Sequence, residues 1–215
     1  FGNISDHDNA LKSFQKALKA SEAAGREGLS ATNLGNKGNI YFAINEYELA
    51  LDCFFGALRV HEDLENEQGM ANIYGGIAGV KVYQKRFTEG LQYLDKAMEL
   101  NEKLDHLRGV AVGKMNYGIT YLKMKKYEKS AEHLEEALKY CDKIKYRTVK
   151  FEIHKNLAEA YEGLGDNEKA LTHLQRYTFF EKEVKKREIQ ERADQLEKQK
   201  ELRKRRREQA EEDEA

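Results

Sequence analysis

Residues 36–58 read NKGNIYFAINEYELALDCFFGAL, and the spacing within this stretch decides the fold. Gly38 and Tyr41 stand three apart, and beyond a polar break at Asn45 and Glu46 come Tyr47, Ala50, Phe54 and Ala57 at intervals of three and four. Such intervals place each set on one face of an amphipathic helix. The polar break marks a turn, so the segment reads as two antiparallel helices.

Outward from this stretch the pattern recurs with a period of 40 residues. Ala17, Ala57, Ala97 and Ala137 form one column, preceded by Phe14, Phe54, Leu94 and Leu134. A second column holds Phe1, Tyr41, Lys81, Tyr121 and Tyr161, and a third Ala10, Ala50, Gly90, Ser130 and Ala170. Gly38, Ala78, Gly118 and Ala158 put a small residue three before the aromatic column, where a neighbouring helix can approach closely. Columns in register over several periods are the mark of a repeat architecture. First helices are expected roughly over 30–44, 70–84, 110–124 and 150–164, and second helices roughly over 8–24, 46–64, 87–104, 127–143 and from 167 onward. One hairpin cannot bury its apolar face alone, so successive hairpins must stack into a curved solenoid.

Composition agrees. The 215 residues are 40% hydrophobic and 35% charged with no proline or tryptophan, and Ala, Leu, Glu and Lys outweigh Val and Thr, which favours an all-α chain. A formal net charge of -1 supplies no general field toward polyanions, so nucleic acid is not an expected partner. Cys53 and Cys141 lie in no metal or redox spacing, which suits a reducing, cytoplasmic setting. No apolar run approaches the roughly 20 residues of a membrane span, and no membrane partner is expected. The first residue is not Met, and the chain reads as a fragment.

Over about residues 1–178 the columns resemble the tetratricopeptide repeat family: Gly38, Tyr41, Tyr47, Ala50, Phe54 and Ala57 in one unit, then Ala78, Phe87, Leu94 and Ala97. Gly118, Tyr121, Tyr127, Leu134 and Ala137 follow, then Ala158, Tyr161, Ala170 and Leu174. Departures are Lys81 in the aromatic column, Asn167 at the turn, Tyr177 at the last small position, and the missing proline that often closes a unit. The resemblance implies an α-solenoid with a half-hairpin at 1–28, full units near 30–68, 70–108, 110–147 and 150–178, and a charged helical extension over 179–215. The extra residues of the long unit are assigned to connectors between hairpins, in GREGL, NEQGM and HLRGV. Units of this length resemble those of kinesin light chains, Rap-type regulators and the sensory halves of bacterial signalling proteins.

In this family the first helices line a groove that takes a peptide or protein segment. The implied peptide-binding residues are Asn36, Asn39, Asn72, Tyr83, Met115, Asn116, Lys123 and Asn156. Asn36, Asn116 and Asn156 share one repeat position, with Gly76 missing the rung. An asparagine amide both donates and accepts, so it can pair with an extended backbone without selecting side chains; a merely solvated polar face is the plainer reading of the same residues. Gly35, Gly75 and Met115 stand where a clamp for a terminal carboxylate would need basic side chains. Cys53, His133 and His173 share a column but lie a repeat apart, too far to share an ion. No phosphate loop, nucleophile elbow or HExxH is present, so no catalytic residue, cofactor or metal is expected and the chain is not read as an enzyme.

After Phe180 the sequence runs unbroken and highly charged, with an irregular apolar stripe of Val184, Ile189, Ala193, Leu196 and Leu202 and a basic run from Arg203 to Arg207. Three readings compete there: a solvated single helix, a connector to an output domain, and basic recognition. The expected function is a binding scaffold, the sensor part of a bacterial signalling protein. The alternative is a stand-alone adaptor that assembles through its outer faces or by self-association at the first hairpin, whose apolar side begins uncovered at Phe1.

Overall fold

The computed structural model describes the backbone of residues 4–213 and the side chains of residues 9–187, 189–198, 200 and 201. Among the described residues nine helices follow one another with no strand: α1 (Ile4–Ala23), α2 (Glu27–Ala43), α3 (Tyr47–Asp63), α4 (Glu67–Tyr83), α5 (Phe87–Lys103), α6 (Leu107–Lys123), α7 (Tyr127–Lys143), α8 (Lys150–Gly163) and α9 (Asn167–Asp213). Each packs on its neighbours in the chain, and the even-numbered first helices also touch in series, α2 with α4, α4 with α6 and α6 with α8. The result is the expected α-solenoid. Phe1, on which the expectation of self-association rests, lies outside the described residues, as do the side chains of the Arg203–Arg207 run.

The helices stop by one device. The backbone turns left-handed at Gly25, Asn45, Glu65, Lys85, Asp105, Lys125, Lys145 and Gly165. In the joint at Asn45, its N–H donates to the Phe42 carbonyl at 3.0 Å and the Glu46 N–H donates to the Tyr41 carbonyl at 2.9 Å. This is a Schellman closure, in which two orphan carbonyls of the last turn find donors. The same pair of bonds recurs at the other joints, and the acceptors of the longer bond are Ser21, Tyr41, His61, Lys81, Asn101, Tyr121, Cys141 and Tyr161. The aromatic column therefore supplies the closing carbonyl at every second helix stop.

One expectation is corrected. The connectors containing GREGL, NEQGM and HLRGV are not loops: α2, α4 and α6 begin at Glu27, Glu67 and Leu107, three residues ahead of the expected starts. The Schellman closure ends the preceding helix so tightly that three residues suffice to reverse the chain. Asn66 then caps α4, its Oδ1 accepting from the Gly69 N–H at 2.9 Å. Gly69 and Gly109 have a packing cause instead. A Cβ on Gly69 would lie 2.5 Å from His61 Cε1, and one on Gly109 would lie 2.7 Å from His106 Nδ1 and inside the Asn101 side chain.

The columns form the core, with Phe54, Leu94 and Leu134 buried beside Ala57, Ala97 and Ala137. Gly38 has the role its column implies, since a Cβ there would meet Phe54 Cε1 at 2.8 Å, and one on Gly118 would meet Leu134 Cδ2 at 2.8 Å. Lys81, the departure from the aromatic column, buries its stem and pairs with Glu89 at 3.3 Å. Arg86 holds Glu89 from the other side, and that hydrogen bond first, then Lys81, pulls its carboxyl below the ordinary range. Where the stack ends, Leu171 and Leu174 of α9 are 56% and 49% exposed, although Leu51 and Phe54 at the same positions of α3 lie under α4 at 7% and 1%.

Candidate functional site

The face made by the first helices carries two cavities. The larger, about 360 Å³, is lined by Phe42 of α2, Gly79 and Tyr83 of α4, Asn116 and Lys123 of α6, and Glu152, Lys155, Asn156 and Glu159 of α8. One cavity reaching four successive helices requires that their face be concave. The second, about 230 Å³, lies between α2 and α4, where Thr32, Asn36, Asn39 and Asn72 meet His61 and Phe54 of α3 and Gln68 of α4.

Seven of the eight residues picked from the sequence line one cavity or the other: Asn36, Asn39 and Asn72 the smaller, and Tyr83, Asn116, Lys123 and Asn156 the larger. Met115 does neither and is a correction. It is 6% exposed and belongs to the core cluster of Leu134, Ile153 and Leu157. Its neighbour Asn116 sits about 100° further round the helix, enough to separate a packed position from a lining one. The equivalent residue in α2 is Gly35, whose missing side chain leaves room for Ile73 Cδ1, 2.7 Å from where a Cβ would stand.

The missing rung at Gly76 also has a cause. A Cβ there would lie 2.7 Å from Phe54 Cζ. Phe54 is larger than Leu94 and Leu134 in the same column, so its ring reaches through to α4 and only glycine fits above it. Gly75 faces open space, and Gly79 stands at ordinary contact distance from the Phe42 ring.

The asparagines differ in what they can offer. Asn156 Nδ2 already donates to the Glu152 carbonyl of its own helix at 2.7 Å, leaving Oδ1 and one N–H. Asn36, Asn39, Asn72 and Asn116 make no side-chain hydrogen bond among the described residues, so donor and acceptor are both available. At the C-terminal ends of the first helices a ring ladder crosses the groove. Phe42 meets Tyr83 edge-on at 5.1 Å, and Lys123 Nζ stands 4.1 Å over the Tyr83 ring, an attraction of about 0.5–2 kcal/mol depending on how dry the site is.

The two cavities differ in charge. Lys123, Lys155, Glu152 and Glu159 put two charges of each sign around the larger, and these four make no ion pair among the described residues. No ionised carboxylate, ammonium or guanidinium lines the smaller. His61 and Gln68 there were not picked from the sequence, because His61 sits on a second helix, which the groove reading leaves aside. Its only sequence signal is the polar column Ser21, His61, Asn101 at a packed position.

The histidine column is not a shared site. His133 stacks on Tyr117 and Tyr121 at 5.2 and 5.3 Å. His173 stacks on Tyr161 at 5.5 Å, and its Nδ1 lies 2.9 Å from Nδ1 of His154. Burial first, then the neighbouring His173, pushes the His154 imidazole down to about 4. Cys53 and Cys141 are buried free thiols. No helix among the described residues is long and apolar enough to cross a membrane.

A stack of helical hairpins closed by repeated Schellman turns, with a lined concave face, defines a tetratricopeptide-type solenoid. The tetratricopeptide repeat profile matches residues 69–143 and 109–178, together more than half of the chain, and the chain belongs to that family. No curated protein matches it in sequence. Among solved structures it is similar to BtubC (BKLC) from P. vanneervenii, at 18% identity and a TM-score of 0.66 over 84% of this chain and 75% of that one. It is similar to a Rap protein complexed with Competence and Sporulation Factor, at 17% identity and a TM-score of 0.76 over 82% and 49%. A putative kinesin light chain repeat protein from Podosopora anserina gives 11% identity and a TM-score of 0.57 over 85% and 90%. The chain thus spans about half the length of the Rap protein it resembles.

Proposed function

We propose that the chain binds an extended peptide or protein segment along the concave face of its first helices, and that it serves as the ligand-sensing part of a bacterial signalling protein. The carrying observation is the convergence of Asn36, Asn39, Asn72, Asn116 and Asn156 on two cavities of one face. Amides at helix-to-helix intervals of roughly 10 Å meet an extended strand about every third residue, since such a strand rises about 3.3 Å per residue. The similarity in fold to a Rap protein solved in complex with Competence and Sporulation Factor is consistent with a ligand for this chain. The test is a peptide-library screen against the chain, then titration of the best binder with the Asn36→Ala/Asn116→Ala/Asn156→Ala variant. Each lost amide should cost about 0.5–1.5 kcal/mol, with Asn156 at the lower end because half of its donor capacity is already used. Unchanged affinity in a folded triple variant, or a binder mapping to the outer faces, defeats this reading.

The exposed Leu171 and Leu174 at the end of the stack favour a second reading, an adaptor that assembles through its outer surfaces. Sedimentation of the wild-type chain and of Leu171→Glu/Leu174→Glu separates the two. A wild-type oligomer that the variant dissolves supports the adaptor.

A further inference from the structure

Position 61 belongs to a column that is buried in α1, α3, α5 and α7, and each of these helices deals with it differently. Ser21 accepts from the Ser30 hydroxyl at 2.9 Å. Asn101 Oδ1 lies 2.9 Å from His106 Nδ1, and its Nδ2 donates to the Ala97 carbonyl at 2.8 Å. Cys141 needs no strong partner. His61 is 2% exposed, and its Nδ1 has none. In its hairpin the partner position holds Asn66, whose oxygen is committed to capping α4.

Of the four, His61 is the one in the wall of a cavity on the concave face. A second wall atom, Gln68 Nε2, is also buried without a partner. Native proteins rarely leave such atoms unpaired, because an unmade bond forfeits the solvation given up on burial. Two buried unpaired polar atoms in one wall, beside the unbonded amides of Asn36, Asn39 and Asn72, point to a polar ligand group there.

We infer that the cavity between α2 and α4 is a subsite for an uncharged carboxamide side chain, Asn or Gln, of the bound segment; this rests on the peptide-binding reading of the groove. Gln68 Nε2 is a donor and calls for an acceptor oxygen. Burial pushes the His61 imidazole below its ordinary range, so at neutral pH the ring is uncharged and its Nδ1 can accept an N–H. A carboxamide presents both complements on one planar group. A carboxylate has only acceptors and would enter a wall without a cation, and an ammonium has only donors and would enter one without an anion. The charged cavity further along, with Lys123, Lys155, Glu152 and Glu159, then takes a charged part of the same segment. The guest has a direction: a neutral amide over α2 and α4, charge over α6 and α8.

The experiment is selection from a randomised linear peptide library on the wild-type chain, followed by affinity measurements on the selected peptides. Binders are expected to share Asn or Gln at one fixed position. Replacing that residue by its acid, or by Leu, should weaken binding by about tenfold or more. Asn39 and Asn72 are exposed and outside the core, so Asn39→Leu/Asn72→Leu keeps the fold, read as an unchanged melting temperature. In this variant the preference for amide over acid should collapse. Binders with no fixed amide, with a fixed Ser, Thr or acidic residue, or with an amide preference indifferent to the double variant overturn the inference and leave groove binding standing. The first of these would make the cavity a water pocket. A chain that binds no peptide overturns both readings.

Discussion

Substituting Gly109 by alanine should change sign with the residue opposite it. Gly109 lies in the first turn of α6, and an added Cβ falls inside the Asn101 side chain and 2.7 Å from His106 Nδ1. Asn101 is 5% exposed and cannot swing into solvent without giving up its bonds to Ala97 and His106. Overpacking costs about 1–3 kcal/mol, and each hydrogen bond lost adds about 0.5–1.5 kcal/mol. Against this stands the gain of about 1 kcal/mol when alanine replaces glycine in a helix, so Gly109→Ala should destabilise the wild type by roughly 1–5 kcal/mol. With Asn101→Ala in place the main obstruction is gone, the half-buried His106 ring is freed of its Asn101 partner and can turn aside, and the propensity term survives, so Gly109→Ala should then stabilise by up to about 1 kcal/mol. Urea unfolding of the four chains of this cycle, followed by helical signal, reads both steps. If Gly109→Ala stabilises the wild type as much as it stabilises Asn101→Ala, the contact is not the reason for the glycine and the account of the connector fails.

Other expectations test separate parts of the structure. Gly75→Ala faces open space and should raise stability by about 1 kcal/mol, whereas Gly76→Ala, one residue on, meets Phe54 and should lower it; equal shifts in thermal unfolding would refute the packing argument. Ala57→Leu at a fully buried position should cost about 1–3 kcal/mol, and an unchanged unfolding midpoint would show that the column is not a close contact. The His154 imidazole is depressed from 6.5 to about 4, so its contribution is complete above pH 6.5 and is lost as the pH falls toward 4, because the unfolded chain takes up the proton first. Thermal melts across that window should show a fall that His154→Phe flattens, and an equal fall in both proteins would assign it elsewhere.

The helical stack was legible because its causes are periodic. Columns 40 residues apart named the buried faces, and Phe54, Ala57, Leu134 and Ala137 lie where those columns put them. Helix starts were less legible. A Gly-containing, charged connector and a glycine-bearing first turn have the same composition, and only the buried His61 and Asn101 pressed against Gly69 and Gly109 tell them apart. At the candidate site a periodicity of three and four places residues to within about one position. That sufficed for seven lining residues but put Met115 on the wrong side of α6. His61 was out of reach of this reasoning because it enters the face from a second helix, through a gap opened by glycines in the first.

The eight left-handed joints recur every 20 residues, inside hairpins and between them alike. The local backbone of a joint therefore does not record whether it lies inside a hairpin or between two; the packing does, since among the described residues the even-numbered helices touch in series and the odd-numbered ones do not. Inserting or deleting 40 residues at any joint would preserve the alternation and lengthen or shorten the groove by one step. Inserting 20 would leave every local bond satisfied while exchanging the roles of all helices downstream, turning core columns toward solvent. The chain can thus grow only by pairs of helices, although it is built from single ones.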